Sequence, residues 1–167
     1  KWKRVMQEVE EVTMVPMEGD RSYTGDLFVK RSDHPDLPAD ALMGVYATIT
    51  AAVNDVNDRG LAGAVRLLLN DAAYNAGTGE TFPITLNING PGTSAVKTLT
   101  IKPNTGVIST ISGAAAANVI FKVFNTNYVT FDGSNTPEGA TRDLSIENTS
   151  AAANFVILYG SKDQTPI

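Results

Sequence analysis

After Gly63 the chain never sustains a long apolar run, and this constrains its fold more than any other feature. Residues 65–69, 82–88, 98–101, 109–112, 119–124, 128–131, 143–146 and 155–159 are short segments rich in β-branched or aromatic side chains, bounded by Gly, Asn, Asp, Pro or Ser. Such side chains fit a pleated surface and the intervening residues form turns, so the series predicts an all-β fold of many short strands. Three segments share one order of apolar, hydroxyl, apolar, charged and turn-forming residues: Leu99-Thr100-Ile101-Lys102-Pro103-Asn104, Val129-Thr130-Phe131-Asp132-Gly133-Ser134 and Leu144-Ser145-Ile146-Glu147-Asn148-Thr149. Ile101 and Phe131 stand about 30 residues apart, and Phe131 and Ile146 about half that. A recurring strand signature with inexact spacing is what stacked coils with variable loops produce. We expect a right-handed parallel β-helix; the alternative is a β-sandwich, whose strands come every roughly 8 to 12 residues.

One helix is expected, over residues 46–60. Ile49, Val53 and Val56 share a face at spacings of four and three. Thr48 or Thr50 can accept an orphan amide as N-cap, and Gly60 suits the left-handed position that ends a helix. A helix with a single apolar stripe must lie on something. Placed just before the first coil, it is expected to cover that coil's apolar cross-section and bare strand edges. The expected organisation is an arm or linker over 1–40, a capping helix segment over 41–63, and coils over 64–167 that continue beyond the chain end.

Residues 1–40 differ from the rest in holding the only Trp, Trp2, and no Ala before Ala39. Residues 2–12 read as a short helix that drifts into an extended strand near Val15, Thr24-Gly25-Asp26 as a turn, and Leu27-Phe28-Val29 as a short strand. His34-Pro35-Asp36-Leu37-Pro38 interrupts regular structure, since each Pro lacks an amide donor and restricts its predecessor. An arm that packs on a neighbour and an ordinary N-terminal strand pair of the same domain are both open readings. The chain opens on Lys1 rather than Met, which leaves room for an upstream segment.

Composition removes several functions. With 18 acidic and 13 basic residues the formal charge is -5, against both nucleic-acid binding and a polybasic membrane anchor. Without Cys there is no disulfide, thiolate site or cysteine nucleophile, and one His, His34, cannot build a multi-imidazole zinc site. No apolar run reaches the roughly 18 to 20 residues of a membrane span. Gly77-Thr78-Gly79 and Gly90-Pro91-Gly92 lack the Lys-Ser/Thr ending of a phosphate loop and read as turns. Asp55, Asp58 and Asp71 lack the alternation of a calcium loop and read as solvated positions.

Asp132, Asp143 and Glu147 flank the repeated strands, and two of them about 5 to 9 Å apart would suit glycoside hydrolysis. A lyase would add calcium and a base such as Lys102, Lys122 or Arg142. Asp132-Gly133 and Glu147-Asn148 are also good turn-formers, and solvated corners are the favoured reading. The loop Gly133 to Thr141 is the best candidate binding loop. Among the aromatics, alternation sends about half into the core; Tyr128 and Tyr159 are expected outward and, with Asp132 and Glu147, are the candidate contacts for a glycan or a partner.

The order of motifs resembles β-helix modules of large secreted proteins of Bacteroidota-type bacteria. The resemblance covers roughly residues 45–160, through Tyr46-Ala47-Thr48-Ile49-Thr50-Ala51-Ala52-Val53-Asn54-Asp55-Val56-Asn57, Gly60-Leu61-Ala62-Gly63-Ala64-Val65, Leu69-Asn70-Asp71-Ala72-Ala73-Tyr74, Tyr128-Val129-Thr130-Phe131-Asp132-Gly133-Ser134-Asn135 and Arg142-Asp143-Leu144-Ser145-Ile146-Glu147-Asn148-Thr149. It implies a secreted or cell-surface protein, often exported by the type IX route, with structural or adhesive roles. It supplies no catalytic residue, cofactor or metal, and none is assigned. The expectation is a non-enzymatic structural or adhesive module that self-associates or joins other domains of a larger chain. The alternatives are a β-helix polysaccharide lyase or glycosidase, and a glycan-binding module without catalysis.

Overall fold

The structure, a computed structural model, describes residues 23–30, 44–88, 92–114, 119–152 and 155–160. The helix or strand expected over 2–15, His34 with its prolines, and Gly90-Pro91 lie outside these residues. The elements are β1 (Tyr23–Val29), β2 (Val45–Tyr46), α1 (Ile49–Arg59), β3 (Leu61–Leu69), β4 (Ala73–Tyr74), β5 (Ile84–Leu86), β6 (Leu99–Pro103), β7 (Ser109–Gly113), β8 (Phe121–Phe124), β9 (Val129–Phe131), β10 (Leu144–Asn148) and β11 (Ile157–Gly160). They form sheet A, ordered β2-β1-β3-β6-β9, sheet B, ordered β10-β7-β4, and sheet C, ordered β11-β8-β5.

Every pairing between these strands is parallel. That departs from the sandwich alternative, whose hairpins and Greek keys require antiparallel neighbours. From β3 onward the chain visits sheets A, B and C in that order three times. Val65 faces Leu99 and Leu99 faces Val129, so successive visits to sheet A come 34 and then 30 residues apart. The shared motif of the sequence therefore has two meanings. Ile101 and Phe131 are neighbours in sheet A, whereas Ile146 lies in sheet B opposite Ile111.

Register aligns the apolar positions into rows. Leu27, Leu67, Ile101 and Phe131 form one in sheet A; Tyr74, Ile111 and Ile146 form one in sheet B; Ile84, Phe121 and Ile157 form one in sheet C. These rows meet in a single apolar cluster, where Phe121 and Phe131 pack edge to face with centroids 4.9 Å apart. Full burial of such a side chain contributes about 1.5–3 kcal/mol. The last visit to each sheet gains less. Leu67, Ile101, Ile111 and Phe121 are fully buried, but Phe131, Ile146 and Ile157 are only half-buried. Among the described residues, the apolar interior opens at β9, β10 and β11.

Helix α1 closes the opposite end. Thr48 is the N-cap, its hydroxyl accepting from the Ala51 amide at 3.0 Å, and Gly60 ends the helix at φ 71°. Its buried stripe, Ile49, Ala52, Val53 and Val56, packs over β5 and the ends of β1 and β2. Polar side chains of α1 also serve the bare edge of sheet C. Asn57 donates to the Thr85 carbonyl at 2.7 Å and accepts from the Asn87 amide at 2.9 Å, as a neighbouring strand would. The Thr50 hydroxyl accepts from the Thr81 amide at 3.1 Å.

The segment boundary expected at residue 40 is corrected in part. Residues 23–29 are not an arm but strand β1, inserted in sheet A between β2 and β3. Leu27 and Val29 are buried there in the common cluster, which is the physical reason this stretch belongs to the fold. Asparagines stack at two corners: Asn104 donates to Asn70 at 2.7 Å, and Asn125 to Asn87 at 3.3 Å. A side-chain amide, which donates and accepts, pairs with its copy one visit away.

Candidate functional site

The outer face of sheet A ends in the loop joining β9 to β10, residues 132–143. Outward-pointing residues at equivalent register are Asp26, Arg66, Thr100 and Thr130 in one row, and Phe28, Leu68 and Lys102 in the next. Arg66 forms a two-pronged ion pair with Asp26, both bonds 2.7 Å. Lys102 is buried although it points away from the core, because the loop folds over it. Its ammonium donates to Asp132 at 2.6 Å and to the Thr136 carbonyl at 3.3 Å. The Lys102 hydrogen bond, aided by the Ser134 amide, holds the Asp132 carboxyl below the usual carboxylate range.

The loop is tied down along its length. Ser134 is buried, and its hydroxyl meets those of Thr136 and Thr141 at 3.1 and 2.9 Å. Asp143 accepts from the Asn135 amide at 3.0 Å, and Asn135 donates to the Val107 carbonyl at 3.1 Å. A bond from the Thr141 hydroxyl, followed by that amide, lowers the Asp143 carboxyl as well. Asp132 and Asp143 thus anchor the two ends of the loop. Glu147 stands apart from both, exposed on β10 of sheet B beside Ser112. The acids that a glycoside-hydrolase alternative would need to converge are split between loop anchoring and an open surface. Of the candidate bases, Lys102 is taken by Asp132, Lys122 lies on β8 of sheet C, and Arg142 is exposed in the loop.

Tyr128 and Tyr159 do face outward, at 52% and 57% exposure. Tyr159 reaches from β11 toward the Val129 carbonyl, 3.5 Å away and next in sequence to Tyr128. It lines a shallow, open cleft of about 560 Å³ with Asn125, Thr126 and Asn127. The structure therefore brings the two tyrosines to one corner and leaves Asp132 and Glu147 elsewhere.

A second polar cluster joins α1 to the first strands. Asp55 accepts from the Tyr23 hydroxyl, from Tyr46 at 2.6 Å and from Arg59 at 2.6 Å, and Arg59 lies over the Tyr23 ring at 5.8 Å. Burial alone would raise the Asp55 carboxyl, but bonds from Tyr23, Tyr46 and Arg59 outweigh it and hold the group low. Burial first, and then the hydrogen bond to the Asp55 carboxylate, push both tyrosines up. Asp55 is thus a partnered anchor rather than the solvated position expected, and Asp71 is buried rather than solvated. Among the described residues no group of three or more His, Cys, Asp or Glu is placed to hold a metal.

Asp55 and Asp132 both have folded-state values below their unfolded ones. They stabilise the fold above the unfolded carboxylate value of about 3.9, and that share is lost as pH falls through the folded values. The melting temperature is expected to hold near neutral pH and to fall below about pH 4. In the variant Asp55→Asn the acid fall should be smaller. An acid limb identical to that of the parent would show that the cluster does not couple folding to pH.

Glu80 was not singled out by sequence reasoning. It is buried, at 5% exposure, and its carboxylate accepts from the Ile49 amide at 2.7 Å and the Thr50 amide at 2.9 Å. It follows Asn75-Ala76-Gly77-Thr78-Gly79, a 3-10 turn closed by a capping box, which fixes its approach to the helix. An acid some 30 residues after the start of a helix carries no local signal, so only the fold reveals its role. Comparison with protein-family models, curated proteins and solved structures gave no match.

Proposed function

We propose that this chain is a right-handed parallel β-helix and serves as a non-enzymatic structural or adhesive module at the surface of, or secreted by, a bacterium, exported by the type IX route as in the modules it resembles. Support for the architecture comes from the three ordered visits to sheets A, B and C, the stacked apolar rows and the asparagine pairs at the corners. The handedness follows the strong preference for right-handed connections between parallel strands.

One observation carries the structural role: the asymmetry of the two ends. Among the described residues, α1 covers sheet C at the first end, while sheets A and B present the two-residue strands β2 and β4. At the other end β9, β10 and β11 present edges of three, five and four residues above a half-exposed apolar interior. Parallel edges left unpaired among the described residues, over open apolar side chains, are a template for pairing. In this reading the end stacks on a further coil or on another copy of the chain.

Light scattering of the purified chain over a range of concentrations tests the second case. The mass is expected to rise with concentration, and Ile146→Lys, which places a charge in the open end, should hold it at the monomer. A monomer at every concentration overturns self-stacking and leaves a further coil as the occupant of that end.

A further inference from the structure

We propose that the outer face of sheet A carries a binding site for a neutral oligosaccharide, away from the tyrosine corner and independent of the stacking end. A cleft of about 310 Å³ lies between the sheet, the turn after β6 and the loop after β9, within the range of small-ligand sites. Its floor is made by Phe28 and Leu68, neighbours in register. Two adjacent apolar side chains on the outward face break the alternation that otherwise puts polar residues there. Pro137, from the anchored loop, walls one side. On the rim stand the carboxamides of Asn104 and Asn135 and the exposed Asp26–Arg66 pair.

Charge decides the ligand class. Arg66 is neutralised by Asp26, and Lys102 by Asp132, so neither cation is left to hold a phosphate or uronate. A purely apolar ligand would cover the hydrogen-bonding capacity that the Asn104 and Asn135 carboxamides and the ion pair keep beyond their protein partners without satisfying it. A pyranose satisfies both demands, setting its C–H face on Phe28 and Leu68 and its hydroxyls toward the rim. Each carboxylate oxygen of Asp26 has a lone pair beyond the one given to Arg66, enough to accept a sugar hydroxyl. The bonds of Ser134 and Asn135 hold the loop wall in place before binding, which lowers the ordering cost.

The test is titration of the full chain, followed by amide NMR shifts, with three probes: cellohexaose, mannohexaose and hexagalacturonate. The site predicts binding of at least one neutral probe, with shifts centred on residues 26–28, 66–68, 104 and 135. Arg66→Ala, at an exposed position, should weaken it about tenfold or more, and Phe28→Ala likewise with the fold checked by circular dichroism. Tyr159→Ala, at the opposite corner, should leave it unchanged. No shift with either neutral probe, tighter binding of hexagalacturonate, or loss with Tyr159→Ala but not Arg66→Ala would each overturn the proposal. A chain that binds sugar yet stays monomeric would keep this site and remove self-stacking, so the two failures are distinguishable.

Discussion

Replacing Glu80 with Ala is expected to destabilise the protein by about 3–5 kcal/mol, read as a shift in the urea midpoint at constant slope. The carboxylate satisfies two amides at the start of α1 and the Thr50 hydroxyl, which approaches to 2.7 Å. Bonds to a charged acceptor contribute about 1.5–3 kcal/mol each, and the first turn of a helix favours negative charge. Water cannot simply replace the carboxylate, because Ile49 and its amide are buried beneath it. The damage should spread past the helix, since α1 also supplies the polar partners of sheet C's first edge. Glu80→Gln keeps one acceptor oxygen and should fall between the parent and Glu80→Ala. A loss under about 1 kcal/mol for Glu80→Ala would show that the helix start finds other partners.

Tyr74→Phe is expected to cost about 2–3 kcal/mol although it removes one oxygen atom. The Tyr74 ring is buried, and its hydroxyl is a hub: it donates to the Val29 carbonyl at 2.7 Å and accepts from the Asn70 and Asp71 amides, each at 3.0 Å. Asn70 has a second acceptor in the Val29 carbonyl, whereas the Asp71 amide loses the partner that the hydroxyl gives it. Phe keeps the apolar packing, so the change isolates the polar contribution. Burial drives the hydroxyl's ionisation upward, so Tyr74 stays neutral in the folded protein and its effect should be independent of pH near neutrality. Equal stability of Tyr74→Phe and the parent would mean that the turn between β3 and β4 relaxes to take in water.

The strands were legible because their cues are local. Runs such as 98–101 and 128–131 declare themselves through β-branched and aromatic residues between turn-formers, and the structure places β6 and β9 there. Helix α1 was legible for the same reason, through its spacing and its caps at Thr48 and Gly60. Strands β2 and β4 were missed, since two residues are too few to show a period. Strand β1 was seen only as Leu27 to Val29, because Gly25 and Asp26 read as a turn while their neighbours in β3 draw them into sheet A. Which segments share a sheet was not legible at all. The motif at Leu144 repeats that at Leu99 in sequence, yet register with β7 sends it to sheet B. The polar groupings were hidden by distance along the chain, since Lys102 meets Asp132 across 30 residues and Tyr23 meets Asp55 across 32.

The helix at one end also sets an arithmetic on assembly. If the proposed stacking holds, the chain would act in polymer terms as a monomer with a reactive terminus at β9, β10 and β11 and, among the described residues, a covered one at α1. Two copies that met through β9, β10 and β11 would use up both such ends, and among the described residues a third copy would find α1 and the short strands beside it. Growth by that route would then halt at two rather than run on into a filament.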